Sequence, residues 1–282
     1  MSPLLKVTNL SGGYGKETII KDISFEVQKG EFVAVIGPNG SGKSTLLRLL
    51  SRVLLPQQGQ VLFENIDIAR FSRKELSKIN AFVPQDTLVN FAFSVQEIVM
   101  MGRIPHLNRL QIESKKDYEI TRHCLELTGS LPLKDKMVDQ LSAGERQRVI
   151  ISKALAQEPV LLFLDEPTSH LDIGYQIQIL DLLKKLNRET QLTIIIVLHD
   201  LNLASEYCHR MIMLNDGSLF QDGAPEGVLT YDNIEEVYKT VVVINKNPVS
   251  GKPNMSLIPW EYLNMENSEA GSQNSGQVVP EL

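Results

Sequence analysis

Gly37-Pro38-Asn39-Gly40-Ser41-Gly42-Lys43-Ser44-Thr45 is the stretch on which the reading of this chain turns. It follows Phe32–Ile36, an apolar run of strand length, and a helical pattern opens at Lys43. That helix is predicted to reach about Leu54 and to stop ahead of Pro56. Strand, glycine-rich loop and helix in this order make a phosphate cradle. Gly37, Gly40 and Gly42 let the backbone curl until successive N–H groups converge on anionic oxygens. The helix start adds the positive end of its dipole. Lys43 has the reach for the β- and γ-phosphates of a nucleotide, and Ser44 offers a hydroxyl to magnesium. Pro38, Asn39, Ser41 and Thr45 complete the candidate nucleotide loop. A cradle alone specifies binding and leaves open what the energy drives.

Downstream, the apolar run Val160–Leu164 delivers Asp165-Glu166-Pro167-Thr168. A strand ending in two acids puts charge at the carboxyl edge of a parallel sheet, where α/β ligands bind. Successive strand residues point to opposite sides, so the two carboxylates can divide the work. Asp165 is the candidate magnesium holder, and Glu166 the candidate base for an attacking water. His199 ends the next apolar strand, Leu192–Leu198, and can face the same γ-phosphate.

Short apolar runs alternating with helical patterns predict an α/β fold, a P-loop NTPase with a mostly parallel core sheet. Leu5–Asn9, Ile20–Val27, Glu31–Ile36 and Gln60–Asn65 read as strands, with an antiparallel β subdomain at the N-terminal edge. Phe82–Pro84 reads as a short strand and Arg210–Leu214 as a late one. Between Ser94 and about Gln157 the pattern is helical throughout, an all-helical insertion between the halves of the core, and Ser94 and Glu97 have capping-box spacing. Ile173–Glu189 is a further helix with Ile173, Ile177, Leu180 and Leu183 near one face. The predicted layout is an ATPase domain over 1–243 with the helical part at 94–157, an extension over 244–263 and a disordered tail over 264–282.

Composition narrows the classes. The 282 residues carry a formal net charge of -6, so the basic footprint of a nucleic-acid or anionic-lipid binder is missing. Val160–Leu164 and Ile194–Leu198 are far short of the roughly 20 residues a membrane helix needs, so any membrane role is borrowed from a partner. Cys124 and Cys208 lack metal-ligand spacing and read as reduced thiols.

Leu141-Ser142-Ala143-Gly144-Glu145 is something no generic P-loop enzyme needs. Ser142 and Glu145 have capping-box spacing, so a structural cap and a second anion site both fit the residues. The stretch resembles the signature motif of ATP-binding-cassette ATPases. The resemblance runs from Leu4 to Val243 and extends to Gln85 as the glutamine-loop residue, a helper at the metal site. It extends also to Ser169-His170-Leu171-Asp172 as the D-loop, His199 as the switch histidine and Tyr14 as the aromatic that stacks on adenine. It implies ATP with magnesium, hydrolysis, and a head-to-tail dimer in which Ser142, Gly144, Glu145 and Asp172 contribute to the partner copy's nucleotide site. Ala143 and Glu145 depart from the commoner glycine and glutamine, so Glu145 fits an outward-facing cap as well as a nucleotide contact.

Thr168–Leu180 and Phe93–Arg103 look like the ATPases that drive importers of iron–siderophore complexes, haem and cobalamin. Those pair two ATPases with two transmembrane permease subunits and an extracytoplasmic substrate-binding protein, which implies a place at the cytoplasmic face of a bacterial membrane. Phe91, Phe93, Met100, Met101 and Arg103 are the candidate permease-docking residues. The rival classes are a soluble cassette ATPase acting on DNA or ribosomes and a non-catalytic regulator. The stretch between Lys43 and Ser142 has room only for the helical insertion, and both Glu166 and His199 are present, which disfavours each in turn. No residue of the chain reads the cargo.

Overall fold

The computed structural model describes residues 2–85, 93–108 and 111–259. Phe91 and the expected tail over 264–282 lie outside the described residues. In chain order the elements are β1 (Leu5–Gly12), β2 (Ile20–Val27), β3 (Phe32–Ile36), α1 (Lys43–Leu50), β4 (Gln58–Phe63), β5 (Ile66–Asp67), α2 (Arg73–Ile79), β6 (Asn80–Val83) and α3 (Val95–Met100). There follow α4 (Lys115–Leu127), α5 (Ala143–Leu155), β7 (Leu161–Asp165), α6 (Ile173–Thr190), β8 (Thr193–Val197), α7 (Leu201–Tyr207) and β9 (Arg210–Asn215). The last are β10 (Ser218–Gly223), α8 (Pro225–Val228), α9 (Tyr231–Tyr238), β11 (Val242–Lys246) and β12 (Pro253–Leu257).

The core sheet has the order β10-β9-β3-β8-β7-β6. It is parallel except for β10, which pairs antiparallel with β9 at one edge. β3, β7 and β8 are buried at every residue, and their continuous apolar runs follow from having both sheet faces covered. The period-2 alternation of a strand sorts their side chains. Val33 and Val35 face one cluster with Leu46, Leu49 and the N-terminal strands, while Phe32, Ala34 and Ile36 face the other with α5 and α6. Register brings Val35 opposite Val197, and Val197 opposite Asp165. The loops after β3, β7, β8 and β6 therefore leave one edge of the sheet together. That edge carries Gly37, Glu166, His199 and Gln85.

The antiparallel sheet β2-β1-β4-β5 matches the expected N-terminal subdomain, but the run before the cradle belongs to the centre of the core sheet. β4 ends at Phe63 because Glu64 and Asn65, with φ of 46° and 66°, turn the chain into β5. α1 ends at Leu50 instead of Leu54. Arg52 takes φ 57°, and its guanidinium donates to the Ile68 and Phe71 carbonyls, which holds the chain out of helical geometry. In α6, Leu180 and Leu183 are buried, whereas Ile173 is 74% and Ile177 40% exposed. The apolar stripe thus outruns the surface that α6 packs against.

The helical insertion is built from α3, α4 and α5 with 3₁₀ turns between them. It removes two residues from the expected docking set. Arg103 is only 3% exposed: Nε donates to Asp117 Oδ1 at 3.0 Å, and one terminal nitrogen to Ala156 O at 2.6 Å and Glu158 Oε2 at 2.8 Å. A guanidinium survives burial only with its donors satisfied and its charge paired. The Asp117 carboxyl is pulled down to about 2, first by the Ser114 hydroxyl and also by Arg103. Met100, the last residue of α3, is buried like its neighbours Ile98 and Val99.

Beyond β10 the chain forms α8, α9 and an antiparallel hairpin, β11–β12. The expected boundary at 243 falls inside β11. No helix of the described residues is long and apolar enough to cross a membrane. Cys124 and Cys208 are unpaired and buried.

Candidate nucleotide and hydrolysis site

The cradle forms because its glycines take conformations closed to other residues. Gly42 has φ 97°, and a Cβ there would stand 2.7 Å from Ile20 Cδ1. At Gly37 a Cβ would meet the Leu214 carbonyl at 2.4 Å. Gly42 is also the N-cap of α1; no side chain caps this helix, and its first turn holds no acidic residue. Its first amides consequently remain available to an anion. Lys43 is buried and arches over the loop, donating to the Gly37 and Pro38 carbonyls at 2.9 Å each. Burial lowers its amine from the usual value, against the raising pull of Glu166 and Asp165.

Ser44 Oγ donates to Asp165 Oδ1 at 2.7 Å, joining the cradle to the end of β7. Asp165 is fully buried, and burial pushes its carboxyl upward; the Ser44 bond opposes this and the Glu166 charge reinforces it. Its second oxygen, Oδ2, is buried with no hydrogen-bond partner. An orphaned carboxylate oxygen beside a serine hydroxyl suits a hard cation that takes its other ligands from phosphate and water. Among the described residues no group of three or more His, Cys, Asp or Glu could hold a metal by itself.

Glu166 is 8% exposed and sits at φ 50°, a conformation that costs a residue with a side chain about 1–3 kcal/mol and persists only where surroundings enforce it. Ser169 enforces it, donating its amide and its hydroxyl to the Glu166 carbonyl at 3.1 and 2.8 Å. Both carboxylate oxygens are then engaged. Gln85 Nε2 donates to Oε2 at 2.6 Å, and His199 Nε2 lies 2.6 Å from Oε1. Two residues from two further strand ends thus converge on the Glu166 carboxylate, an arrangement that can orient a base.

Tyr14 is 44% exposed, and Arg48 donates to its hydroxyl at 2.6 Å. Sequence reading passed over Arg48. Its signal was position: it stands four residues after Ser44, on the same face of α1.

The signature stretch is elsewhere. Ser142 Oγ accepts from the Glu145 amide at 3.3 Å, and Glu145 Oε2 accepts from the Ser142 amide at 2.9 Å, a closed capping box. The Glu145 carboxyl is held below its usual range, chiefly by the Ser142 backbone N–H and then by the hydroxyl. Gly144 packs under Tyr175 of α6, where a Cβ would meet the ring at 2.4 Å. Asp172 caps α6, accepting from the Tyr175 amide at 3.0 Å. Among the described residues, no hydrogen bond joins this group to the Lys43 loop.

Cradle, buried aspartate and a glutamate braced by glutamine and histidine together define a P-loop nucleotide hydrolase. Comparison with known proteins takes this further. Residues 20–169 match the ABC transporter family. The ferric enterobactin transport ATP-binding protein FepC of Escherichia coli K12 is 41% identical over 249 residues, 88% of this chain and 92% of that protein. A metal-chelate type ABC transporter solved in an inward-facing conformation superposes with a TM-score of 0.81 at 30% identity, covering 93% of this chain and all of the other. The dimeric bacterial cassette MJ0796 superposes with a TM-score of 0.67 at 31% identity, over 78% and 98% of the two chains. The chain belongs to the ABC transporter family, as an ATP-binding subunit that hydrolyses ATP to drive transport.

Proposed function

We propose that this chain is the ATPase of an importer for a chelated iron, an iron–siderophore complex, working as a head-to-tail pair beneath two permease subunits at the cytoplasmic face of a bacterial membrane. Likeness to an enterobactin transport ATPase supports the cargo class, and likeness to a dimeric cassette supports the pair. An extracytoplasmic binding protein completes such a system.

The single observation that carries the hydrolytic reading is the clamp on Glu166, with Gln85 on one oxygen and His199 on the other. In this reading the α1 amides and Lys43 bind the triphosphate, and Tyr14 stacks on adenine. Glu166 takes the proton of the attacking water, and His199 faces the γ-phosphate while holding Glu166 in place. Ser44 and Asp165, with Gln85 nearby, would hold magnesium, which when bound neutralises charge on the phosphate oxygens. A partner copy would close the site with Ser142, Gly144 and Asp172, while Glu145 acts as the outward cap its bonds describe. Phe93 and Met101, both half-buried on the helical insertion, remain as permease-docking candidates.

Closure of two copies over ATP and reopening after loss of the γ-phosphate supplies the two states that transport needs. The test is uptake with the neighbouring permease and binding protein, offering ferric siderophore, haem and cobalamin separately. Uptake of ferric siderophore that Glu166→Gln abolishes is expected. Uptake of haem or cobalamin alone would reassign the cargo and leave the ATPase reading standing.

A further inference from the structure

The hairpin β11–β12 is seated on α7, the short helix that begins two residues after His199. Its contacts reach both ends of that helix. In the first turn, Asn202 donates to the Met255 carbonyl at 3.0 Å and accepts from the Met255 amide at 2.7 Å, a strand-like pair made by a side chain. Further along, Ser205 Oγ donates to the Pro253 carbonyl at 2.8 Å. At the C-terminal end, Lys252 Nζ donates to the carbonyls of Ser205 and Glu206 at 2.9 Å each and of Cys208 at 3.4 Å. An ammonium has three N–H donors, and here all three go to the carbonyls that a helix leaves unpaired at its end. The cation also meets the negative end of the helix dipole.

A helix of seven residues has little cohesion of its own. Asp200 caps its start, accepting from the Asn202 and Leu203 amides at 2.8 and 2.9 Å, which ties the residue after His199 to the first turn of α7. The segment before the hairpin also approaches the cradle: the Tyr238 hydroxyl of α9 lies near the backbone of Gly37, which opposes the rise that burial gives the phenol. The same stretch of chain thus runs past the phosphate loop and is bonded to the histidine-bearing helix.

We propose that Lys252 is a positioning residue for hydrolysis, fixing α7 and through it His199 against Glu166. The proposal rests on the reading of Glu166 and His199 as the hydrolytic pair. Misplacing a catalytic group by about 1 Å can cost up to about 10²-fold in rate, and partial loosening of one helix predicts about tenfold.

The experiment measures steady-state ATPase kcat, KM for ATP and the melting temperature of the full chain as Lys252→Ala, Lys252→Arg and His199→Ala. The expected result is a kcat lowered about tenfold in Lys252→Ala with KM unchanged, most of it regained in Lys252→Arg. A parental kcat in Lys252→Ala beside a strongly impaired His199→Ala overturns the proposal alone. So does a loss in Lys252→Ala that arginine fails to rescue, or one in which KM rises together with a fall in melting temperature, since that marks general destabilisation. A parental rate in His199→Ala overturns the hydrolytic pair and this proposal together. Should Lys252→Ala fail to fold, Lys252→Gln removes the charge while keeping donors, and the same outcomes apply.

Discussion

The starts of α1 and α5 are the two helix N-termini that the family assigns to ATP, and they are built in opposite ways. α1 begins at a glycine in left-handed geometry, with no capping side chain and no acid in its first turn. α5 begins at Ser142, whose hydroxyl and amide are both tied to Glu145, an acid within that turn. One helix start is open to an anion as it stands; at the other, the Ser142 and Glu145 amides are taken up in the capping box and the first turn carries negative charge. A helix end can serve a phosphate only with amides that its own side chains have not claimed. The asymmetry teaches that the start of α1 is preformed for an anion, whereas a phosphate arriving at the start of α5 would meet a helix end already capped.

The largest expected effect probes what holds α5 at its other end. Arg103→Ala leaves Asp117 buried without its cation and removes the donor to Ala156, and should lower stability by about 3–5 kcal/mol in denaturant unfolding. Lys43→Ala attacks the open start. Each charge-assisted bond contributes about 1.5–3 kcal/mol, so ATP affinity measured by titration calorimetry should fall roughly 10²-fold with the fold intact.

Ser142→Ala attacks the closed start and should cost about 1 kcal/mol of stability while leaving ATP binding to the isolated chain unaltered. A change in monomer affinity would contradict the separation of the two sites. Glu145→Gln is the smallest and sharpest change. Glutamine can still fill the capping box but without the charge, so melting should fall only slightly at neutral pH, while loss of charge at the helix start should tighten ATP-driven pairing by a few tenths to about 1 kcal/mol.

Acid should act in the same place. The folded Glu145 carboxyl lies below its unfolded value of about 4.5, so its cap contributes fully above that pH and is lost as pH falls through the lower, folded value. Glu145→Gln should flatten that part of a stability–pH profile.

The cradle and the acid-ended strand were legible because glycine, lysine and paired carboxylates at fixed spacing have few other uses, whereas the signature stretch was legible only through its family resemblance. The sheet order could be anticipated only in outline, since pairing is decided by contacts far apart in sequence. Arg103 was misread because an arginine after two methionines looks like interface; only the fold reveals Asp117 and Ala156 behind it. Ile173 and Ile177 follow helical spacing perfectly well, yet among the described residues α6 packs against nothing that covers them, and both stay exposed. The hairpin escaped notice because Val242–Lys246 and Pro253–Leu257 are short, mixed in polarity and separated by a polar turn. Lys252 gave no local sign of its role, as its three partners are main-chain carbonyls on α7.

Sedimentation velocity of Glu166→Gln tests the central claim most directly, that one copy's cradle and another's signature enclose the same ATP. The variant should sediment as a monomer alone, as a dimer with ATP, and should release little ADP, since loss of a positioned base lowers rate by about 10²–10⁴. A monomer at saturating ATP, or a dimer that forms equally well without it, would contradict the account.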